Sequence, residues 1–204
     1  MMRHTSIGIA LAAVVILTSA APVQAQDGFW WGVTYQAAQP AETTTDLIDT
    51  FSWRNLGFDG RAFIGPNVSA GLFVGWNVFH DDPEGLVSIG GVDVSGRQNR
   101  YINAFPILAT AHYYLGLGES DSRLFIGTGL GTYYIENRLD IGRSSLTADN
   151  WHFGLAPEVG VTLPFSRDFH GVVSVKYNRA FEAGDVEHSY WTFGIGLGGL
   201  VSTR

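Results

Sequence analysis

Between Gly28 and Val201 apolar residues recur at every second position, in eight runs, with small or polar residues in the gaps. That spacing is the period of a β-strand, whose successive side chains point to opposite faces. The runs cover roughly 28–37, 52–65, 68–80, 100–115, 123–138, 151–165, 169–181 and 190–201. In the third, Val68, Ala70, Leu72, Val74, Trp76 and Val78 share one face; Ser69, Gly71, Phe73, Gly75, Asn77 and Phe79 share the other. The sixth sets Trp151, Phe153, Leu155, Val159, Val161, Leu163 and Phe165 against His152, Gly154, Ala156, Glu158, Gly160 and Thr162. In the eighth, Trp191, Phe193, Ile195 and Leu197 oppose Thr192, Gly194, Gly196 and Gly198. The fourth, Tyr101 to Leu115, is apolar on both faces, so its orientation stays open. No helical period is convincing after the first 25 residues.

The start of the chain is different. Arg3 and His4 give a positive opening, Ile7 to Ala21 is almost unbroken apolar sequence, and Val23-Gln24-Ala25 offers the small or short side chains of a cleavage site. These three regions predict a signal peptide over 1–25, exported ahead of one domain over 26–204. No later segment approaches the ~20 apolar residues of a membrane helix. Yet 46% of the chain is hydrophobic and only 15% charged, where about a quarter is usual for soluble domains. There is no cysteine, so stability must come from another source than disulfides, such as a closed hydrogen-bonded sheet. The net charge of −7 argues against nucleic acid as a partner.

Strands can cross hydrocarbon only when every backbone N–H and C=O is paired, which requires a closed barrel. The connections fit one. Pro66-Asn67, 116–122 and 166–168 are short, whereas 38–51, 81–99, 139–150 and 182–189 are longer and mostly polar. In an up-and-down meander the short ones fall at one end and the long ones at the other, as in outer-membrane barrels. The expectation is an all-β fold: an eight-stranded, antiparallel, up-and-down transmembrane β-barrel.

Aromatic residues near run ends suit headgroup-level girdles. Trp31, Trp53, Trp76, Tyr133, Trp151 and Trp191 are assigned to them. Charges test the inner face. Asp59 and Arg61 oppose Phe58, Ala62 and Ile64; Lys176 opposes Val173, Val175 and Tyr177; Glu158 sits on the glycine-rich face of its run. A Lys or Arg facing lipid at mid-membrane costs about 2–4 kcal/mol, so these four are expected to point inward and pair as a lumen charge network. The alternative is simple solvation at a barrel mouth. Glycines 71, 75, 127, 129, 131 and 194 mixed with Phe63, Phe73, Phe79 and Tyr133 suit a packed lumen.

Phe63-Ile64-Gly65-Pro66-Asn67-Val68-Ser69-Ala70-Gly71-Leu72-Phe73-Val74-Gly75-Trp76 is a strand–turn–strand. With it go the glycine-alternating stretch Arg123 to Tyr134, Phe153 to Val161, and Val173-Ser174-Val175-Lys176-Tyr177. In this order they resemble the eight-stranded outer-membrane β-barrel superfamily, which includes the opacity-type proteins and the transmembrane domain of OmpA-like proteins. The resemblance implies location in the outer membrane, with its lipid, lipopolysaccharide and the outer-membrane assembly machinery as partners. The family usually ends in an aromatic residue that this machinery reads. Here Phe193 and Leu197 would have to serve internally, ahead of Ser202-Thr203-Arg204.

Glu187-His188-Ser189 holds the residue types of a hydrolytic triad, but strand neighbours point to opposite faces and cannot simply converge. His80, Asp81 and Asp82 with Glu187 and His188 offer metal-ligand types, at a spacing that matches no dedicated motif. No catalytic, cofactor or metal site is therefore assigned. Gly28-Phe29-Trp30 fits the G-x-W of a lipocalin, a soluble barrel with the apolar face turned inward. The leading functional expectation is a non-enzymatic structural or adhesion-like role carried by external loops, towards an extracellular ligand the sequence does not name. The others are a narrow channel for small solutes, a lipid-modifying enzyme and a soluble lipocalin-like binder.

Overall fold

The computed structural model describes residues 28–82, 84–89, 92–116, 122–141, 144–166, 168–184 and 186–202. Residues 1–25, read as a leader, lie outside them. Nine strands follow in order: β1 (Gly28–Ala41), β2 (Ser52–Gly65), β3 (Val68–Asp81), β4 (Glu84–Ile89), β5 (Val92–Gly116), β6 (Arg123–Ile141), β7 (Ser144–Pro164), β8 (Phe169–Ala183) and β9 (Val186–Ser202). Eight of them close a ring. Each pairs antiparallel with the next, β5 meets β3, and β9 returns to β1. β4 is an outer addition that pairs with Val92–Arg97 of β5. A short 3-10 turn, Glu42–Asp46, leads out of β1.

The outer connections differ from the expected polar loops. Asp81 to Asn99, Leu139 to Asn150 and Glu182 to Ser189 are largely strand, because β5, β6, β7 and β9 continue outward as paired ribbons. Above the bilayer both faces of a ribbon meet water. The two-residue alternation then lapses while the backbone ladder continues. Ser145 to Asn150 show this, since all six are exposed.

Proline marks two gaps in the ladder. Pro106 and Pro157 have no N–H to give. The β3–β5 register lapses between Val74↔Ile107 and Asn77↔Ala104, and the β7–β8 register between Leu155↔Arg179 and Glu158↔Lys176.

The apolar face is outside. Leu72, Val74 and Trp76 of β3 are exposed while Phe73, Gly75 and Asn77 between them are buried. The same holds for Phe193, Ile195 and Leu197 against Thr192, Gly194 and Gly198 on β9. The inside-out, lipocalin-like reading fails on this point, and Trp30 of its motif is an inner-end lumen residue. β5, whose orientation was open, turns Ile102, Ala104, Leu108, Thr110, His112 and Tyr114 inward.

Two apolar layers fill the lumen. At the short-turn end Trp30, Tyr114, Phe125 and Val172 pack together with Phe63 and Leu200. Towards the other end Phe73, Phe79, Ile102, Leu108, Tyr133, Ile135 and Tyr190 form a larger cluster with Ile48. Ile48 follows the 3-10 turn, so the outer connection itself reaches back into the mouth.

Candidate functional site

Above the inner apolar layer lies a layer of charge. Arg61 Nε donates to Asp59 Oδ2 at 2.9 Å, and its Nη2 lies 3.7 Å from Glu158 Oε2. The same carboxylate oxygen is 3.9 Å from Lys176 Nζ and 3.0 Å from His112 Nε2. Arg61 also donates to the Tyr114 hydroxyl at 3.1 Å. Its guanidinium lies 5.0 Å from the Trp30 ring centroid and 4.9 Å from that of Phe125, while the Lys176 ammonium is 3.3 Å above Phe73. All four charged side chains are buried. The structure thus brings Asp59, Arg61, Glu158 and Lys176 together, and adds His112 and Tyr114.

Register explains the convergence. Glu158 faces Lys176 directly across β7–β8. On one side each of the others faces a glycine: Gly32 opposite Asp59, Gly71 opposite Arg61, and Gly127 opposite both Glu158 and His112. Long charged side chains can lie across the lumen because these positions carry none. At Gly71 a Cβ would strike the Gly60 carbonyl oxygen, and at Gly127 it would strike the His112 ring.

Chemically the layer is self-contained. The ligand-type atoms of Asp59, His112 and Glu158 fall within 4.8 Å of one another. Two carboxylates already face one guanidinium and one ammonium, so no net negative charge is left to draw a metal ion.

The aromatic band follows the outer rim of the apolar face. Rings run in contact from Trp76 through Phe105 and Tyr134 to Trp151, with centroid spacings of 6.2, 6.1 and 5.2 Å. Trp191 packs on Tyr177 at 4.8 Å and Trp53 on Phe51 at 4.8 Å. Trp31 lies at the opposite end of the barrel, beside Gly199. These five tryptophans are 39–64% exposed. Tyr133 does not belong with them. It is fully buried, donating to Asn178 Oδ1 at 3.2 Å, because strand parity turns it inward and turns its neighbour Tyr134 out.

The remaining candidates are dispersed. His188 points inward; Ser189 Oγ donates to Glu42 Oε2 at 3.2 Å; Glu187 pairs with Arg179 at 3.5 Å. His80 pairs with Asp82 at 3.2 Å, and Asp81 accepts from Thr50. Neither group converges on one point.

His112 and Tyr114 are the members of the layer that sequence reasoning missed. Thr110 and His112 share a parity within an otherwise apolar run, and that pair of polar positions is the available signal.

Comparison with known proteins agrees with this architecture. The β-barrel domain of OprF from Pseudomonas aeruginosa is 15% identical, with a TM-score of 0.52 over 87% of this chain and 100% of that one. Ail, the attachment invasion locus protein of Yersinia pestis, is 11% identical, with a TM-score of 0.55 over 86% and 99%. The outer-membrane protein OprG of Pseudomonas aeruginosa is 16% identical, with a TM-score of 0.55 over 88% and 98%. At such identities these likenesses show the fold. No curated protein sequence matches the chain. Residues 9–198 match the family described as outer membrane protein beta-barrel domain. With a closed barrel, an apolar exterior and a polar interior layer, the chain belongs to that family and resides in the outer membrane.

Proposed function

We propose that this protein is a non-enzymatic surface-contact protein: the barrel anchors it, and the strand ends beyond the aromatic band make its contacts. The observation that carries this reading is the filled lumen. A solute entering from outside meets Ile48, Phe79, Ile102 and Tyr190; one entering from the other end meets Trp30, Tyr114 and Phe125. Between them lies the closed charge layer. Interaction with the surroundings is then left to the outer surface. There β6 and β7 run as a ribbon from the Tyr134↔Trp151 pair to Ile141↔Ser144, about 23 Å at the usual rise per residue.

Glu42, Asp46, Asp49, Asp82, Asp149 and Glu182 are exposed at that end. Their charge favours cationic surfaces, or cation-bridged contact with the phosphates of lipopolysaccharide, over polyanions. Ail of Yersinia pestis has been crystallised with the heparin analogue sucrose octasulfate; the acid excess here argues for a contact of the opposite sign. The same proposal takes residues 1–25 as a leader, the aromatic band as a headgroup-level girdle and the outer-membrane assembly machinery as the partner in insertion.

The purified protein in planar bilayers is expected to give no stepwise conductance. Bacteria displaying it are expected to adhere to cationic surfaces several-fold better than bacteria displaying a variant with Asp46, Asp49, Asp149 and Glu182 replaced by Asn or Gln. Regular unit conductance, or adherence indifferent to these acids, contradicts the proposal.

A further inference from the structure

His152 on β7 and His188 on β9 both point into the outer half of the lumen, on strands separated by β8. Gly154, Ala180 and His188 form one row across the three strands, with His152 two residues outward of Gly154. On the intervening strand the inward residue of that row is Ala180, which carries only a methyl group. The rings meet edge to face, with centroids 5.4 Å apart and planes at 81°.

Their hydrogen bonding is unequal. His152 Nδ1 lies 2.9 Å from the Phe181 carbonyl oxygen. A carbonyl only accepts, so Nδ1 carries the proton and Nε2 keeps its lone pair. A carbonyl on the far nitrogen is the usual orienting partner of a metal-binding histidine. His188 is 1% exposed, and neither of its ring nitrogens has a hydrogen-bond partner. A buried imidazole without a partner is unfavourable. With metal–nitrogen bonds of about 2.0–2.1 Å in tetrahedral geometry, two imidazoles on one ion have centroids about 5.2 Å apart. The observed separation matches that spacing. On β8, between the two histidine strands, the nearest inward charge is Lys176, four residues deeper than Ala180, about 13 Å along the strand. Arg179 and Glu187, on the opposite face, pair with each other.

We propose that His152 and His188 form a binding site for a divalent ion of the zinc, copper and nickel class. Imidazole ligands without carboxylates select these ions over calcium and magnesium. The site is separate from the charged layer and from the surface contacts.

Tag-free protein in detergent is titrated with Cu2+ under electron paramagnetic resonance and with Zn2+ by calorimetry. The expected result is one ion per chain, with nitrogen splitting from two imidazoles. His152→Ala, His188→Ala and His188→Gln should each weaken binding by about tenfold or more. His80→Ala, at an exposed His–Asp pair, should leave it unchanged. Heat-shifted migration on gels verifies the fold of each variant. His188→Gln, which keeps a polar side chain of similar size, carries the test if the alanine variants fail to fold. Absence of binding by the wild-type protein, or binding unaltered in His188→Gln, overturns the proposal.

Discussion

Arg61→Met is expected to lower the unfolding free energy of the barrel by about 3–5 kcal/mol, the usual cost of removing one partner of a buried ion pair. Arg61 is 2% exposed and is the group that Asp59 and Glu158 share. Its removal leaves Asp59 without a cation in contact, enclosed between the inner apolar layer and Phe73. Met keeps much of the aliphatic stem, and the guanidinium contacts with the Trp30 and Phe125 rings are lost together with the charge. Lys176→Met should cost less, because Glu158 keeps Arg61 and His112. The double variant Asp59→Leu with Arg61→Met should regain much of the loss, since it removes the stranded charge as well. Urea unfolding followed by tryptophan fluorescence measures all three. A loss below about 1 kcal/mol for Arg61→Met would mean that water reaches the cluster and screens it as at a surface.

Ile195→Arg is expected to destabilise the inserted barrel by about 2–4 kcal/mol, the cost of a guanidinium at the mid-plane of a bilayer. Ile195 is 63% exposed on the apolar face of β9, four residues inward from Trp191, about 13 Å along the strand. Leu146→Arg is the matched control. Leu146 is also exposed, at 60%, but sits on the β7 ribbon beyond the aromatic band, where arginine should change stability by less than about 0.5 kcal/mol. Reversible unfolding from lipid vesicles, followed in both variants, gives the difference. Equal effects at the two positions would remove the bilayer from the account.

Much of the barrel was legible in the sequence because a bilayer imposes a strict rule. A lipid-facing position in mid-membrane carries no charge, so parity alone places Asp59, Arg61, Glu158 and Lys176 inside. The same rule predicts six barrel strands close to their observed extents, and β5 and β7 over their membrane parts. It was silent where the rule does not apply. In β5 the inner face is itself mostly apolar, from Ile102 to Leu108, so neither His112 nor Tyr114 could be oriented. Beyond the band, water wets both faces, and β4 with the tips of β6 and β7 carries no alternation to read. Tyr133 lies near a run end, as a girdle residue would, but parity separates it from Tyr134 and turns it inward. The His152–His188 contact depends on a register across three strands and on the small Ala180 between them, which no single segment reveals.

The outward apolar face can be tested residue by residue, and the absence of cysteine makes single-cysteine labelling simple. Nitroxide labels at Leu72, Phe73, Val74, Gly75 and Trp76, in lipid vesicles, report collision with oxygen, which concentrates in hydrocarbon, and with a water-soluble nickel chelate. Labels at 72, 74 and 76 are expected to show high oxygen and low nickel accessibility, with 73 and 75 low for both. High nickel accessibility at 72 and 74, or no alternation along β3, would contradict a barrel whose outer wall is wetted by lipid.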